Sequence, residues 1–514
     1  MMPALMRVSQ ALRPARPRAA GVDVSGAFNL VGWLVKYVAA AFAFPTAIAV
    51  GYGEPVWPFV LAGAATFTFG LALERVTEGR HRIGPREGYL VVALIWLLIA
   101  AFGALPYLFA EPQLARPVDA MFESMSGFST TGSSVLTDID ALSRSMAMWR
   151  QFTTWIGGVG IIVLFLAVLP RLRVGGRQAL FRTEAAGPEL GLEATIRESA
   201  RRFVVLYVAI TAAAIVVLAV IGWTGVDPRM TLFDAVAHAF ATVATAGFSP
   251  NSRSIEPYAP ATQWAIVVFM VIAGTNFALL FAGVARRSLR PFARDEEFRV
   301  YIALLAVAAA VVWVELVTED VYEGGTAVRE AVFNLVAMMT TTGFASADFA
   351  AWPALTHLVL IGVLVIGASA GSTSGSIKLV RHVVIGKMLR REIDQTVHPH
   401  RVAPLRVNAT VVDERSLRAI IVFVFLYLGV LAAGATAVLV DSSLAGVELA
   451  SYDALAAAAT TLGGAGPGLG FAGPMGTFAP FSDLSTVVLT ALMYLGRLEI
   501  IPVIVIFTRS HWRA

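Results

Sequence analysis

The residues of this chain with the most chemistry to offer are threonines and glycines set in apolar surroundings. They occur as Thr130-Thr131-Gly132, Thr245-Ala246-Gly247, Thr341-Thr342-Gly343 and Thr461-Leu462-Gly463, the last followed by Gly464. Each segment follows an acid-alanine pair: Asp119-Ala120, Asp234-Ala235, Glu330-Ala331 and Asp453-Ala454. The acid precedes the glycine by 13, 13, 13 and 10 residues. An acid is a good N-cap and suits the positive end of a helix dipole. The apolar run behind it fits a short helix of about two to three turns. Such a helix aims its partly negative C-terminal end at a cation. The Thr-x-Gly that follows offers backbone carbonyls able to replace the water around an ion, and glycine permits dihedrals that other residues resist. One such strand supplies part of a coordination shell, and four around an axis supply a closed cage.

A lone Thr-Thr-Gly is common and usually ends a loop. Four copies, each behind an acid-alanine pair and recurring at 96–120 residue intervals, mark an internal repeat.

The elements that position these segments must lie in a membrane. Of 514 residues, 57% are hydrophobic and 14% charged, with a mean hydropathy of +0.73, against about 25% charged in an average soluble domain. A spanning helix needs about 20 mostly apolar residues. Ten stretches qualify, near Gly32–Tyr52, Trp57–Leu73, Tyr89–Leu108, Trp149–Leu169, Phe203–Ile221, Gln263–Ala285, Arg299–Val317, Leu355–Ala370, Leu417–Val440 and Asp483–Thr508. The first follows Arg7, Arg13, Arg16 and Arg18, but it exceeds a signal h-region of about 7–15 residues and is read as retained. Ten spans with both termini cytoplasmic place 31 of the 39 Lys and Arg on the inner side. Six fall outside: Arg116, Arg144, Arg150, Arg229, Arg253 and Arg329; Lys36 and Arg497 lie within spans. That partition is the positive-inside bias. A helix of two to three turns cannot cross, so each must re-enter the membrane shielded by protein. The expected fold is an all-α polytopic membrane protein of ten transmembrane helices and four re-entrant pore helices. A two-helix extension (residues 1–88) precedes four fourfold pseudo-symmetric repeats at 89–202, 203–298, 299–416 and 417–514.

The same composition excludes other classes. There is no cysteine, hence no disulfide or thiolate site. A net charge of +4 makes no global field for nucleic acid. No Walker or dinucleotide fingerprint is present, so no nucleotide is expected on this chain, and the spans lack the clustered Asp, His or Glu of an intramembrane enzyme. An ion-translocating subunit of an ATP-driven pump shares the pore-loop pattern and stays open as a second reading.

Three strings carry a resemblance: Ser126-Gly127-Phe128-Ser129-Thr130-Thr131-Gly132, Trp155-Ile156-Gly157-Gly158-Val159-Gly160-Ile161-Ile162-Val163 and Leu495-Gly496-Arg497-Leu498-Glu499-Ile500. With the two extra N-terminal spans, they resemble the TrkH/TrkG branch of the Trk/Ktr/HKT superfamily of potassium transporters over nearly the whole chain. The resemblance implies potassium uptake across the bacterial inner membrane, by channel or symport. It implies potassium at the four Thr-x-Gly segments, with Gly464 able to shift the fourth register by one. Sodium-preferring members carry Ser at the first filter glycine, whereas Gly132, Gly247, Gly343 and Gly463 are all glycine. The resemblance also implies a homodimer with a TrkA-like cytoplasmic nucleotide-binding ring, for which the nine Lys and Arg between Lys378 and Arg418 offer a docking surface.

The eighth span breaks at residues 367–376, where glycine and serine disfavour a regular helix. In the family this is an intramembrane gating loop, and Gly371, Ser372, Thr373, Gly375, Lys378 and Arg497 are assigned to gating on that basis. Arg497 lies mid-span, where a charge is expensive. Glu499, two positions on, faces another way. His398 and His400 lack further metal ligands nearby, His238 reads as a packed residue of the second short helix, and Glu123 as a hydrogen-bonding residue of the first.

Overall fold

The computed structural model describes residues 21–79, 81, 83–167, 192–400, 404–408 and 410–512. Arg7, Arg13, Arg16, Arg18 and the inner segment 170–191 fall outside these residues.

Apolar runs become helices throughout, because a backbone in hydrocarbon must satisfy its own hydrogen bonds. The chain opens with α1 (Val24–Val38) and α2 (Ala43–Tyr52), joined by a 3-10 turn, then α3 (Trp57–Val76), α4 (Pro85–Gly103) and α5 (Leu105–Ala110). The next elements are α6 (Pro117–Phe128), α7 (Arg144–Ala167), α8 (Leu192–Trp223), α9 (Leu232–Ala244), α10 (Pro260–Ala273), α11 (Phe277–Arg286) and α12 (Arg290–Arg294). Then come α13 (Glu296–Thr318), α14 (Gly324–Met339), α15 (Ala354–Ile366) and α16 (Leu379–Val397). A small antiparallel pair, β1 (Arg406–Val407) and β2 (Thr410–Val411), sets Arg406 opposite Val411. The chain closes with α17 (Glu414–Leu444), α18 (Ser451–Gly463), α19 (Asp483–Arg497), α20 (Ile501–Ile506) and α21 (Arg509–Trp512).

Among the described residues, six helical stretches are long and apolar enough to cross a membrane: Val24–Tyr52, Trp57–Val76, Pro85–Ala110, Ala200–Trp223, Glu296–Thr318 and Glu414–Leu444. A seventh, α10 with α11, bends by 101° at its break. The remaining three of the ten expected spans differ. Helix α7 ends at Ala167, so the end of its expected span lies outside the described residues. Helix α15 has only 13 residues, because Gly367 leaves helical geometry at φ 74°. The last span is broken at Leu498–Ile500, where Glu499 and Ile500 take φ of 59° and 60°. Arg497 is therefore the last residue of α19, at the break.

The four short helices α6, α9, α14 and α18 are the most enclosed part of the molecule. In α9 every residue from Ala237 to Ala244 is buried, as is every residue of α18 from Ala456 to Gly463. The long helices instead present apolar side chains outward, such as Val216 on α8 and Phe425 on α17, which are 61% and 72% exposed. That inside-out distribution is what a lipid solvent selects. The helix-start acids need one correction. Asp119, Asp234 and Asp453 lie in the first turn of their helices, where the dipole favours them, but Glu330 lies inside α14, which begins at Gly324. Of these four helices, α9 has a capping box, with Thr231 and Asp234 bonding each other's backbone.

Helices α1 and α3 cross at two glycines. A side chain on Gly32 would meet the Gly70 carbonyl and Glu74 nitrogen at 2.8 Å, and one on Gly70 would meet the Gly32 carbonyl and Lys36 nitrogen at 2.7 Å. Small residues allow this close approach in a membrane. Replacing Gly70 by Val should lower the melting temperature of the purified protein in detergent, consistent with about 1–3 kcal/mol of overpacking. Gly51→Val, at a helical glycine with open space around it, should change it far less.

Candidate ion-conduction site

Each short helix ends by turning its chain sharply into an extended strand. The turn residues Thr130, Thr245 and Thr341 take left-handed φ of 57°, 54° and 55°, and Gly464 takes 75°. A β-branched residue there is strained by about 1–3 kcal/mol. The same bond holds all four turns. Thr131 N donates to Ser126 O at 2.9 Å, Ala246 N to Ala241 O at 3.0 Å, Thr342 N to Ala337 O at 2.8 Å and Ala465 N to Thr460 O at 3.0 Å. Two residues beyond each turn residue stands a glycine with positive φ: Gly132 (87°), Gly247 (67°), Gly343 (75°) and Gly466 (83°).

This geometry corrects the fourth register. Thr461, Leu462 and Gly463 belong to α18, and the Thr461 hydroxyl bonds back to the Ala457 carbonyl at 2.7 Å. Residues 464–466 occupy the place of 130–132, 245–247 and 341–343. Gly464, included in the expected segment, is the turn residue. Counted from Asp453, Gly466 is at the same 13-residue distance found in the other three repeats.

The four strands close on one another. A Cβ on Gly132 would strike the Ala246 carbonyl, one on Gly247 the Thr342 carbonyl and one on Gly343 the Ala465 carbonyl, while one on Gly466 would press against the Thr131 carbonyl at 3.0 Å. The order runs from the first strand to the fourth and back to the first. No side chain fits at the first three, and at Gly466 a side chain is tight and strained by a φ of 83°. Cross-strand bonds reinforce the ring: Ser133 Oγ donates to Gly466 O at 2.8 Å, and Ile255 N to Ala345 O at 3.0 Å.

Beneath the ring, residues 367–378 cross as irregular chain tied to three repeats. Ser369 N donates to Gly274 O at 3.1 Å, Thr373 Oγ1 to Val243 O at 3.1 Å, and Gly375 N to Thr341 Oγ1 at 2.7 Å. Gly371 accepts from Phe277 N at 3.1 Å. Ser372 bonds Ser374 at 2.7 Å, and Lys378 Nζ donates to the Ser374 carbonyl. Arg497 reaches this segment: Nη1 donates to Thr373 O at 3.1 Å and Nη2 to Gly157 O at 2.8 Å. Thr130, Gly464, Gly375, Lys378 and Arg497 line one cavity. Glu499 is the partner of Arg381 on α16, at 2.9 Å, and Arg381 stacks on Phe423.

A family model described as a TrkH cation transport protein matches residues 58–513. The chain belongs to the TrkH family. It is 34% identical over 497 residues to the Trk system potassium uptake protein TrkH of Salmonella typhimurium, covering 94% of this chain and 98% of that one. It is 33% identical over 437 residues to the Trk system potassium uptake protein TrkI of Halomonas elongata, covering 84% of each. The crystal structure of the potassium transporter TrkH from Vibrio parahaemolyticus matches with a TM-score of 0.84 at 30% identity, covering 96% of this chain and all of that one.

Of the thirteen residues expected at the ring of this TrkH-family chain, ten (130–132, 245–247, 341–343 and Gly464) lie in the four turns and strands, whereas Thr461, Leu462 and Gly463 lie in α18 and sequence reasoning missed Ala465 and Gly466. It also counted Arg150 among the outer charges, whereas Arg150 is fully buried in α7 against Glu123. His238 is packed, with Nδ1 at 2.8 Å from Asp234 O and Nε2 at 3.1 Å from Ser249 Oγ. The register makes a clean prediction. Gly466→Ser should alter the rubidium-to-sodium uptake ratio as Gly132→Ser does, while Gly463→Ala should leave that ratio near wild type. The reverse ranking would restore Gly463 as the ring residue.

Proposed function

We propose that this chain is the potassium-conducting subunit of a Trk-type uptake system in the bacterial inner membrane, and that the four-strand ring is its selectivity filter. The observation that carries the reading is the closed cycle of glycine-to-carbonyl contacts among residues 130–132, 245–247, 341–343 and 464–466. An ion on the axis exchanges water for the backbone carbonyls of these strands. The C-terminal ends of α6, α9, α14 and α18 feed directly into the strands and add their negative dipole ends. The four helices re-enter the membrane within repeats at 89–202, 203–298, 299–416 and 417–514, behind the extension 1–88, with both termini cytoplasmic. The relatives named for potassium uptake support potassium as the ion.

The segment 367–378 acts as the gate. It lies below the ring, with Lys378 and Arg497 lining the cavity that an ion enters after leaving the strands. A fixed cation on that path repels the ion. Two unit charges at 4 Å interact by about 4 kcal/mol at an effective dielectric near 20, and each 1.4 kcal/mol or so is tenfold in rate. Opening therefore requires Thr373 and Arg497 to part or the loop to swing aside. Helix α16 continues from the loop into the basic inner segment, and a cytoplasmic nucleotide-binding ring docked there moves the loop through α16. The working unit is a homodimer.

Two outcomes test the reading in vesicles carrying the purified protein. Potassium and rubidium uptake should exceed sodium uptake, and equal permeation of potassium and sodium would contradict the filter. Arg497→Ala should raise rubidium flux with the ion preference retained. A folded, inserted Arg497→Ala protein without flux would make the residue structural and remove it from the gate.

A further inference from the structure

Four residues beyond the helix acid, each repeat carries a different residue: Glu123, His238, Asn334 and Ala457. The first three reach from the short helix to the strand beyond the ring glycine. Glu123 accepts from Ser134 Oγ at 3.0 Å and from Val135 N at 3.2 Å. His238 meets Ser249 Oγ at 3.1 Å, and Asn334 donates to Ser346 Oγ at 3.0 Å. In the fourth repeat there is no such side chain. A Cβ on Gly468 would lie 3.5 Å from the Ala457 backbone, and a small cavity opens beside Ala456, Thr460, Pro467 and Gly468.

The first repeat differs again, because its strut is an ion pair. Arg150 Nε donates to Glu123 Oε1 at 2.7 Å, and both side chains are essentially inaccessible. Arg150 Nη2 lies 3.3 Å from Ser134 Oγ, on the first strand, and Nη1 donates to Ser249 O at 3.3 Å, on the second. Its guanidinium stacks 4.0 Å over Phe248, the residue after the ring glycine Gly247. Burying such a pair contributes little net stability, since desolvation offsets the attraction. What it does supply is geometry: a planar fork bonded to two strands at once.

We infer that Glu123 and Arg150 are positioning residues for ion selection, setting the spacing between the first and second filter strands. The inference rests on the filter reading above. The pair bonds to the first and second strands and is neutral as a unit, so it acts through the strand backbones. Loosening it widens the ring locally and lets the smaller, more tightly hydrated sodium compete.

The test compares rubidium and sodium uptake by the full-length protein in vesicles for wild type, Ser134→Ala, Glu123→Gln and Gly132→Ser. The ratio of the two ions is the readout, because it is independent of how much protein folds. Ser134→Ala keeps the buried charges paired and removes the hydroxyl's bonds to Glu123, Arg150 and Leu136 N, leaving only Val135 N to tie Glu123 to the strand. We expect the rubidium preference to fall roughly threefold to tenfold in Ser134→Ala and at least as far in Glu123→Gln, where tenfold corresponds to about 1.4 kcal/mol. The rubidium KM should rise while the maximal rate per folded protein is held. If Glu123→Gln does not fold, Ser134→Ala decides alone. An unchanged ratio in the strut variants, with Gly132→Ser altered, overturns the inference and leaves the filter standing. An unchanged ratio in all three overturns both.

Discussion

The structure depends on one steric constraint carried around four strands: at three glycines a strand carbonyl occupies the space where a side chain would sit, and at Gly466 it stands 3.0 Å from that space. Any larger residue must push two strands apart, and the displacement passes around a closed cycle. The constraint therefore links local backbone chemistry to global arrangement. Positive φ at Gly132, Gly247, Gly343 and Gly466 turns each strand toward its neighbour. The turn before it strains Thr130, Thr245 and Thr341, and that strain persists only because buried helices hold the chain on both sides. The enclosed α6, α9, α14 and α18 supply that support, and the lipid-facing helices supply the shell around them.

The fourfold pattern is broken at three places. The fourth turn uses Gly464 and is free of the threonine strain. The third repeat contributes α15, which stops at Gly367 and releases the loop beneath the ring. The fourth contributes Arg497, whose helix stops just where its guanidinium meets Thr373. The fourth turn, the loop and Arg497 thus line one cavity. On the far side of the loop, Arg381 clasps Glu499, so the segment that follows Arg497 and the helix that follows the loop are bound to each other. A pull on α16 reaches both members of the Thr373–Arg497 contact. Under the proposed function, that arrangement is the route by which a partner at the inner surface controls the loop.

Much of this was legible in the sequence. Apolar length and the partition of Lys and Arg pointed to the membrane, and the repeated acid, helix and Thr-x-Gly located three of the four strands to the residue. The fourth was misread because Thr461 imitates the threonine of the motif, while the true spacing of 13 residues ends at Gly466 with no threonine in the strand. Arg497 was correctly linked to the loop but the break after it was missed, since nothing in Leu498-Glu499-Ile500 announces two consecutive left-handed residues. Arg150 was taken for a loop charge. Its pairing with Glu123 joins residues 27 apart on different helices, and only the folded arrangement brings them together. Long-range closure of this kind leaves no local periodicity to read.

The central claim is that the four strands form a single cation cage. The most direct test is to locate the ion: anomalous scattering from crystals of the protein grown in rubidium, and again in sodium. The account predicts a rubidium peak on the axis of the ring, within coordination distance of carbonyls from all four strands, including the 464–466 strand, and no comparable ordered rubidium elsewhere in the membrane region. A peak coordinated by only some of the strands, or one seated away from Gly132, Gly247, Gly343 and Gly466, in protein that still takes up rubidium would contradict it.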